Sequence, residues 1–191
     1  MVADGELVAR AATGDDGAFA GLVERHRDVV LRVASRMVGR HDAEDVAQDA
    51  FLRSFHRLGA LRDGDGFRPW LLRITHNAAL DHLTRRAREH REGSDADGEA
   101  VAAPADRAPA RLLERDEMRD RLALKLGGLR PEHRIVLVLR DLEGLPYDEI
   151  AAITDTPLGS VKGRLHRARA ELIRALRTNT YDWELPGERA A

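Results

Sequence analysis

LPYDEIAAITDTPLGSVKGRLHRARAEL, residues Leu145–Leu172, is the stretch where helix pattern, turn chemistry and charge agree on one task. Its first part predicts a short amphipathic helix over Tyr147–Thr154, with Ile150, Ala151 and Ile153 as the apolar contribution. Asp155-Thr156-Pro157 breaks that helix. Thr156 suits an N-cap and Pro157 the first helical position, since proline has no N–H to leave unpaired there. A second helix is predicted from about Leu158 to Leu176. Val161, Leu165, Ala168 and Leu172 recur at spacings of three and four and face inward, which leaves Lys162, Arg164, His166 and Arg167 largely on the outer surface. Two short helices with a tight turn, the second presenting cations, describe a helix-turn-helix that sets one helix into the DNA major groove. An ordinary helical hairpin with a solvated basic face satisfies the same periodicity, so the neighbouring segments have to decide.

The composition bounds the problem loosely. A chain of 191 residues suits one or two small domains. A hydrophobic content of 43% is enough for real cores, and 34% charged residues points to a soluble protein. Aromatics at 4% favour helices packed through aliphatic side chains. With no cysteine, disulfides, zinc ribbons and thiol catalysis are excluded together. No apolar run approaches the roughly 20 residues that span a bilayer, and the N-terminus lacks a basic-then-apolar signal, so membrane insertion is not expected and the default compartment is cytoplasmic. A net charge of −2 does not suggest a nucleic-acid binder by itself; the placement of the charges matters more.

Taken in order, Gly5–Ala12 predicts a short helix ended at Gly14, and Asp15 or Asp16 caps a longer one. Phe19, Leu22, Val23, His26, Val29, Val30, Val33, Met37 and Val38 give that helix a nearly unbroken apolar face up to Gly39, with His26 as a satisfied, partly buried histidine. Asp42 is the expected N-cap of a third helix. Val46, Ala47, Ala50, Phe51, Phe55 and Leu58 form its expected buried side, and Asp45, Gln48, Asp49, Leu52, Arg53 and His56 its other side. That face reads as plain solvation, although Leu52 among the charges hints at a docking surface. Gly59–Gly66 reads as a loop. A fourth helix follows, with Pro69 at its first position, Trp70 in its core, and a basic end rich in arginine against only Asp81 and Glu89. Such a cationic helix beside a Gly/Asp loop suits melted DNA, though a favourable dipole interaction at a helix C-terminus accounts for Arg85–Arg91 as well.

Residues 92–110 change character: Ala, Gly, Asp and Pro without an apolar period, a flexible acidic linker. Beyond it a helix is expected over Ala110–Leu126 and another over Pro131–Leu142, whose Ile135–Leu139 run is too apolar to face water and whose C-cap is Gly144. The expected fold class is therefore all-α: a helical bundle over residues 1–91 and a helix-turn-helix domain over 111–177, with a tail at 178–191 that shows no usable pattern.

Five segments in this order resemble the extracytoplasmic-function (ECF) sigma factors, of the sigma-70 family of bacterial RNA polymerase: AFAGLVERH (Ala18–His26), DAEDVAQDAFLRSF (Asp42–Phe55), FRPWLLRITHNAALDHLTRRAR (Phe67–Arg88), LRPEHRIVLVLRDLEGLPYDEIA (Leu129–Ala151) and PLGSVKGRLHRARAEL (Pro157–Leu172). The resemblance implies a region 2 domain that grips the polymerase β′ clamp and melts the -10 element, and a region 4 domain, associated with the β flap, that reads the -35 element as duplex. It implies polymerase contact by Asp45, Gln48, Asp49, Leu52 and Arg53. It implies -10 contact by Asp63, Gly64, Asp65, Phe67, Arg73, His76, Asn77, Arg85, Arg86 and Arg88, and -35 contact by Ser160, Lys162, Gly163, Arg164, His166 and Arg167. An anti-sigma protein is the further partner it implies; no cofactor, metal or catalytic residue is. Pro146 departs from the family, where many relatives carry serine as a helix cap.

Two rivals are weaker. A response-regulator-type activator shares the EIA…VK pattern of Glu149–Lys162, but needs a receiver domain whose α/β alternation is absent from residues 1–90. A helical-bundle metalloenzyme needs Glu-x-x-His pairs, and no glutamate here has a histidine three residues on; nor is there an HExxH or a Walker-type loop.

Overall fold

Helix starts and stops sit where the local chemistry puts them. In the computed structural model, which describes residues 2–61, 63–92 and 122–177, α1 (Asp4–Ala12), α2 (Asp16–Val38), α3 (Ala43–Arg57) and α4 (Phe67–Glu92) form the first domain. Helical residues 122–127, α5 (Pro131–Leu137), a π-helical turn (Val138–Leu142), α6 (Tyr147–Thr154) and α7 (Leu158–Arg177) form the second. No strand occurs among the described residues. Asp15 caps α2 by accepting the Ala18 N–H at 3.0 Å, satisfying one of the orphan donors of the first turn. Gly39 and Gly144 close α2 and the π turn with φ of +92° and +71°, where a Cβ would be strained. The linker at 92–110, most of the expected Ala110–Leu126 helix and the tail at 178–191 lie largely or wholly outside the described residues.

Several local expectations are corrected. Asp42 stands at the start of α3 but makes no cap; its carboxylate is drawn instead to His82 and Arg86 on α4. Thr156 does not cap α7 either. The Pro157 carbonyl accepts the first bonds of that helix, from Ser160 and Val161, while Thr156 Oγ1 donates to the Thr154 carbonyl and receives Arg164. Phe55, expected inside, is 42% exposed and stacks edge-on against Phe19. The Gly59–Gly66 loop is two 3-10 turns, Leu58–Ala60 and Gly64–Gly66. Gly64 lies so close to Gly5 that a Cβ there would fall 2.5 Å from the Gly5 Cα, so glycine is what lets the turn seat on α1.

The core has two parts. One lies inside the first domain, where Leu7, Leu22, Val30, Phe67 and Leu71 meet. The other runs from Val33, Met37, Val46, Leu72 and Ile74 of the first domain into Ile135, Leu139, Ile150, Val161 and Leu165 of the second. The sequence reads as two modules on a flexible tether; in the structure they pack on each other. Val33 and Met37 on α2, with Leu72 and Ile74 on α4, carry apolar surface beyond what one four-helix bundle can cover, and the second domain covers it.

Candidate functional site

Three surfaces carry the residues singled out by sequence. On α3, Asp45, Gln48 and Leu52 are exposed, Leu52 by 56%. Arg53 is the pivot of this face. It donates to Asp81 Oδ2 at 2.6 Å and to Asp49 Oδ1 at 2.9 Å, and the Asp81 bond, then Asp49, holds its pKa above the ordinary arginine value. With Asp45, His82 and Arg85 these side chains line a shallow hollow between α3 and α4. The surface offers carboxylates and the exposed Leu52 to a partner, while Arg53 is already paired with Asp49 and Asp81.

The loop and α4 form the second surface. Asp63 is exposed at the start of the turn, Gly64 is fixed on Gly5, and Asp65 lies in the 3-10 turn. Phe67 is fully buried, between His26 at 5.2 Å and Trp70 at 5.9 Å, so it supports the loop from beneath. Trp70 is half-buried against both core clusters. Arg73 and Asn77 are exposed on one face of α4, but His76 between them is buried with its Nδ1 unpaired. Burial, then the charge of Arg164, lowers the His76 pKa from the ordinary 6.5 to about 4. Further along, Arg86 donates to Asp42 at 2.8 Å, Arg85 lies 3.2 Å from His82 Nδ1, and Arg88 is exposed. His26, off this surface, is satisfied by Asp4 at 2.8 Å.

The third surface is α7. Ser160, Lys162, His166 and Arg167 are exposed along it, and Gly163 is half-buried. Val161, Leu165 and Ala168 are fully buried, as their spacing requires. Arg164 is set apart from the other cations: half-buried, it donates to Thr156 Oγ1 at 2.8 Å. Lys162 and Arg140 both approach the Tyr147 ring, at 5.8 and 4.6 Å from its centroid. Pro146 supplies its carbonyl to Ile150 N–H at 3.1 Å, so α6 begins on a preset φ of −69° instead of a side-chain cap.

Sequence reading passed over four charged residues that the fold brings together: Arg32 and Arg36 on α2, Arg134 on α5 and Glu143 after the π turn. A signal was present only for Arg134, a cation set next to the apolar run Ile135–Leu139.

An all-helical pair of domains, the second ending in a helix-turn-helix with a solvent-facing cationic row, defines a class of DNA-binding proteins. Within it, residues 22–89 match the family model of Sigma-70 region 2, and residues 119–172 that of Sigma-70, region 4. The RNA polymerase sigma-H factor of Pseudomonas aeruginosa is 34% identical over 180 residues, covering 91% of this chain and 93% of its own. The ECF RNA polymerase sigma-E factor of Escherichia coli K12 is 36% identical over 176 residues, covering 88% and 92%. The ECF RNA polymerase sigma factor SigE of Mycolicibacterium smegmatis is 40% identical over 165 residues; the match takes 84% of this chain and 63% of that longer relative. Among solved structures, CnrH in complex with the cytosolic domain of CnrY shares 34% identity at a TM-score of 0.65, covering 94% of this chain and 100% of that one. The sigma factor RpoE of Bartonella quintana, in complex with the anti-sigma factor NepR, has a TM-score of 0.66 over 84% of this chain and 98% of its own, and at 23% identity shares the fold. The chain belongs to the sigma-70 family, in its ECF branch.

Proposed function

We propose that this chain is a sigma factor that binds bacterial core RNA polymerase, recognises -10 and -35 promoter elements, and directs initiation at a specific set of genes under the control of an anti-sigma protein. The observation that carries the reading is the exposed row Lys162, His166 and Arg167 on the second helix of the helix-turn-helix, in a chain whose other half matches region 2. Complexes of CnrH with CnrY and of RpoE with an anti-sigma factor support the regulatory part. The polymerase performs the chemistry, and the chain supplies only binding. No helix among the described residues is long and apolar enough to cross a membrane. The proposed partners, core polymerase and promoter DNA, place its work in the cytoplasm.

Residues divide by what they can offer. Lys162 or Arg167 can donate to guanine O6/N7 in the major groove, while neighbouring cations hold phosphates. Ser160 and Gly163 let the backbone approach the groove closely. Arg73, Asn77, Arg85 and Arg88 face a melted strand, with Asp63, Gly64 and Asp65 shaping the loop that meets it; Phe67 acts from within the core. Asp45, Gln48, Asp49 and Leu52 meet the β′ clamp, with Arg53 holding Asp49 in place, and the helix-turn-helix domain meets the β flap.

Run-off transcription with purified core polymerase on a library of promoter variants tests the reading: specific starts are expected only when the chain is present. In the same assay system, Lys162→Ala with Arg167→Ala lowers promoter binding and spares polymerase binding, and Asp45→Lys with Asp49→Lys does the opposite. Equal loss of both activities in either variant would refute the division.

A further inference from the structure

A single turn of irregular backbone ties the start of α6 to α7 within the helix-turn-helix domain. In the π-helical turn Val138–Leu142, Arg140 and Asp141 are neighbours with different targets. Arg140 donates to the Leu145 carbonyl at 2.8 Å, which stands its guanidinium 4.6 Å from the centre of the Tyr147 ring. Asp141 accepts Arg169 of α7 in a two-pronged pair at 2.9 and 2.6 Å. Tyr147 is the first residue of α6 and packs half-buried against the core, so its ring has little freedom. The same ring carries a second cation, the ammonium of the exposed Lys162, at 5.8 Å. Arg164 and Arg169 of α7 are committed to Thr156 and Asp141. Lys162 differs: a ring face draws its charge without taking an anion's place beside it, so its N–H donors remain open to a phosphate.

A lysine stem is flexible, and holding it still on DNA costs rotamer freedom that a ring already in contact with it has partly removed. The position of the ring also selects what the ammonium meets. In a helix-turn-helix the first helix crosses the DNA backbone, so a lysine drawn to the first residue of α6 stands at the rim of the groove and not over its floor. A compact ammonium suits a phosphate there, where a planar guanidinium suits a base edge. We propose that Tyr147, backed by Arg140, is a positioning residue for DNA: its ring holds the Lys162 ammonium against a phosphate of the duplex. The ring contact rests on the geometry alone; its use on DNA rests on the proposed sigma function. An exposed cation–ring contact corresponds to about a two- to fivefold change in an equilibrium constant, so losing the ring should weaken duplex binding by that factor whatever the sequence.

Lys125 and Lys162 are the only lysines in the sequence, so lysine isotopically labelled at Cε gives two side-chain NMR signals in the full chain, and Lys162→Ala identifies them. The Lys162 signal is expected upfield of the other, because it lies over a ring face. Tyr147→Leu should return it to the position of a solvated lysine, and Tyr147→Phe should leave it in place. Affinity is then measured for a mixed-sequence DNA duplex over a range of salt. Tyr147→Leu should weaken binding about two- to fivefold, and Tyr147→Phe, which keeps the ring and drops the hydroxyl, should match the unsubstituted chain. Lys162→Ala should lower the salt dependence by about one phosphate contact. With Lys162→Ala in place, Tyr147→Leu should cost nothing further, whereas a merely structural role for the ring would persist. Additive losses, an equal loss in Tyr147→Phe, an unchanged salt dependence, no duplex binding by the unsubstituted chain, or a Lys162 signal indifferent to the ring would each overturn the proposal. Run-off transcription without specific starts would count against the sigma function and leave the two lysine signals as they are.

Discussion

His76 makes the packing of the two domains sensitive to acid, and the size of the effect can be worked out. Its imidazole is buried, and its pKa falls from the ordinary 6.5 to about 4, first through burial and then through the charge of Arg164. Once the chain unfolds or opens, the ring meets water and titrates near its ordinary value. Between the two values the unfolded chain therefore holds more protons than the native one, and stability falls as pH falls through that window. Above about pH 6.5 the group is neutral in both states and the penalty is absent. The full gap corresponds to about 3 kcal/mol, of which about 2 kcal/mol has been lost by pH 5. The perturbation is His76→Leu, which keeps an apolar side chain in the seam and removes the titrating group. Urea unfolding of both chains, followed by circular dichroism at about pH 7.5 and about pH 5, isolates the term as a double difference. Every residue other than position 76 is the same in the two chains, so its contribution cancels in the double difference. The unsubstituted chain should lose about 2 kcal/mol more than the variant on acidification. An equal pH dependence in both would refute the buried, neutral state of His76.

Two further outcomes follow from local geometry. Phe67→Ala empties a fully buried ring site and should cost about 3–5 kcal/mol of unfolding free energy; a loss under about 1 kcal/mol would remove Phe67 from the core. Asp155 closes α6 at φ +49°, so Asp155→Gly should leave the melting temperature equal or higher, while Asp155→Val should cost about 1–2 kcal/mol; the reverse order would mean that the left-handed turn is not kept.

The helices were legible because their signals are local. The three-and-four spacing of Val161, Leu165 and Ala168, the break at Asp155–Pro157 and the glycines at 39 and 144 act over a few residues, and each element stands where those residues put it. The same holds for the solvent-facing row Lys162, His166 and Arg167, since whatever lies opposite a buried stripe on a helix faces out. Cap chemistry was less legible. An aspartate before a helix prefers the free N–H groups only when no stronger partner competes, and Asp42 has both His82 and Arg86 within 3.0 Å.

Local pattern was enough to specify an all-helical class for the described residues, helix boundaries to within a few residues, the helix-turn-helix and the placement of its exposed cations. Tertiary structure alone decided that the two domains dock, that Glu143 pairs with Arg32 across 111 residues of chain, and that His76 is buried while its neighbours Arg73 and Asn77 are not. Helical periodicity reports which side of a helix is apolar, but a charge finds its partner through space, and that distance is written only in the fold.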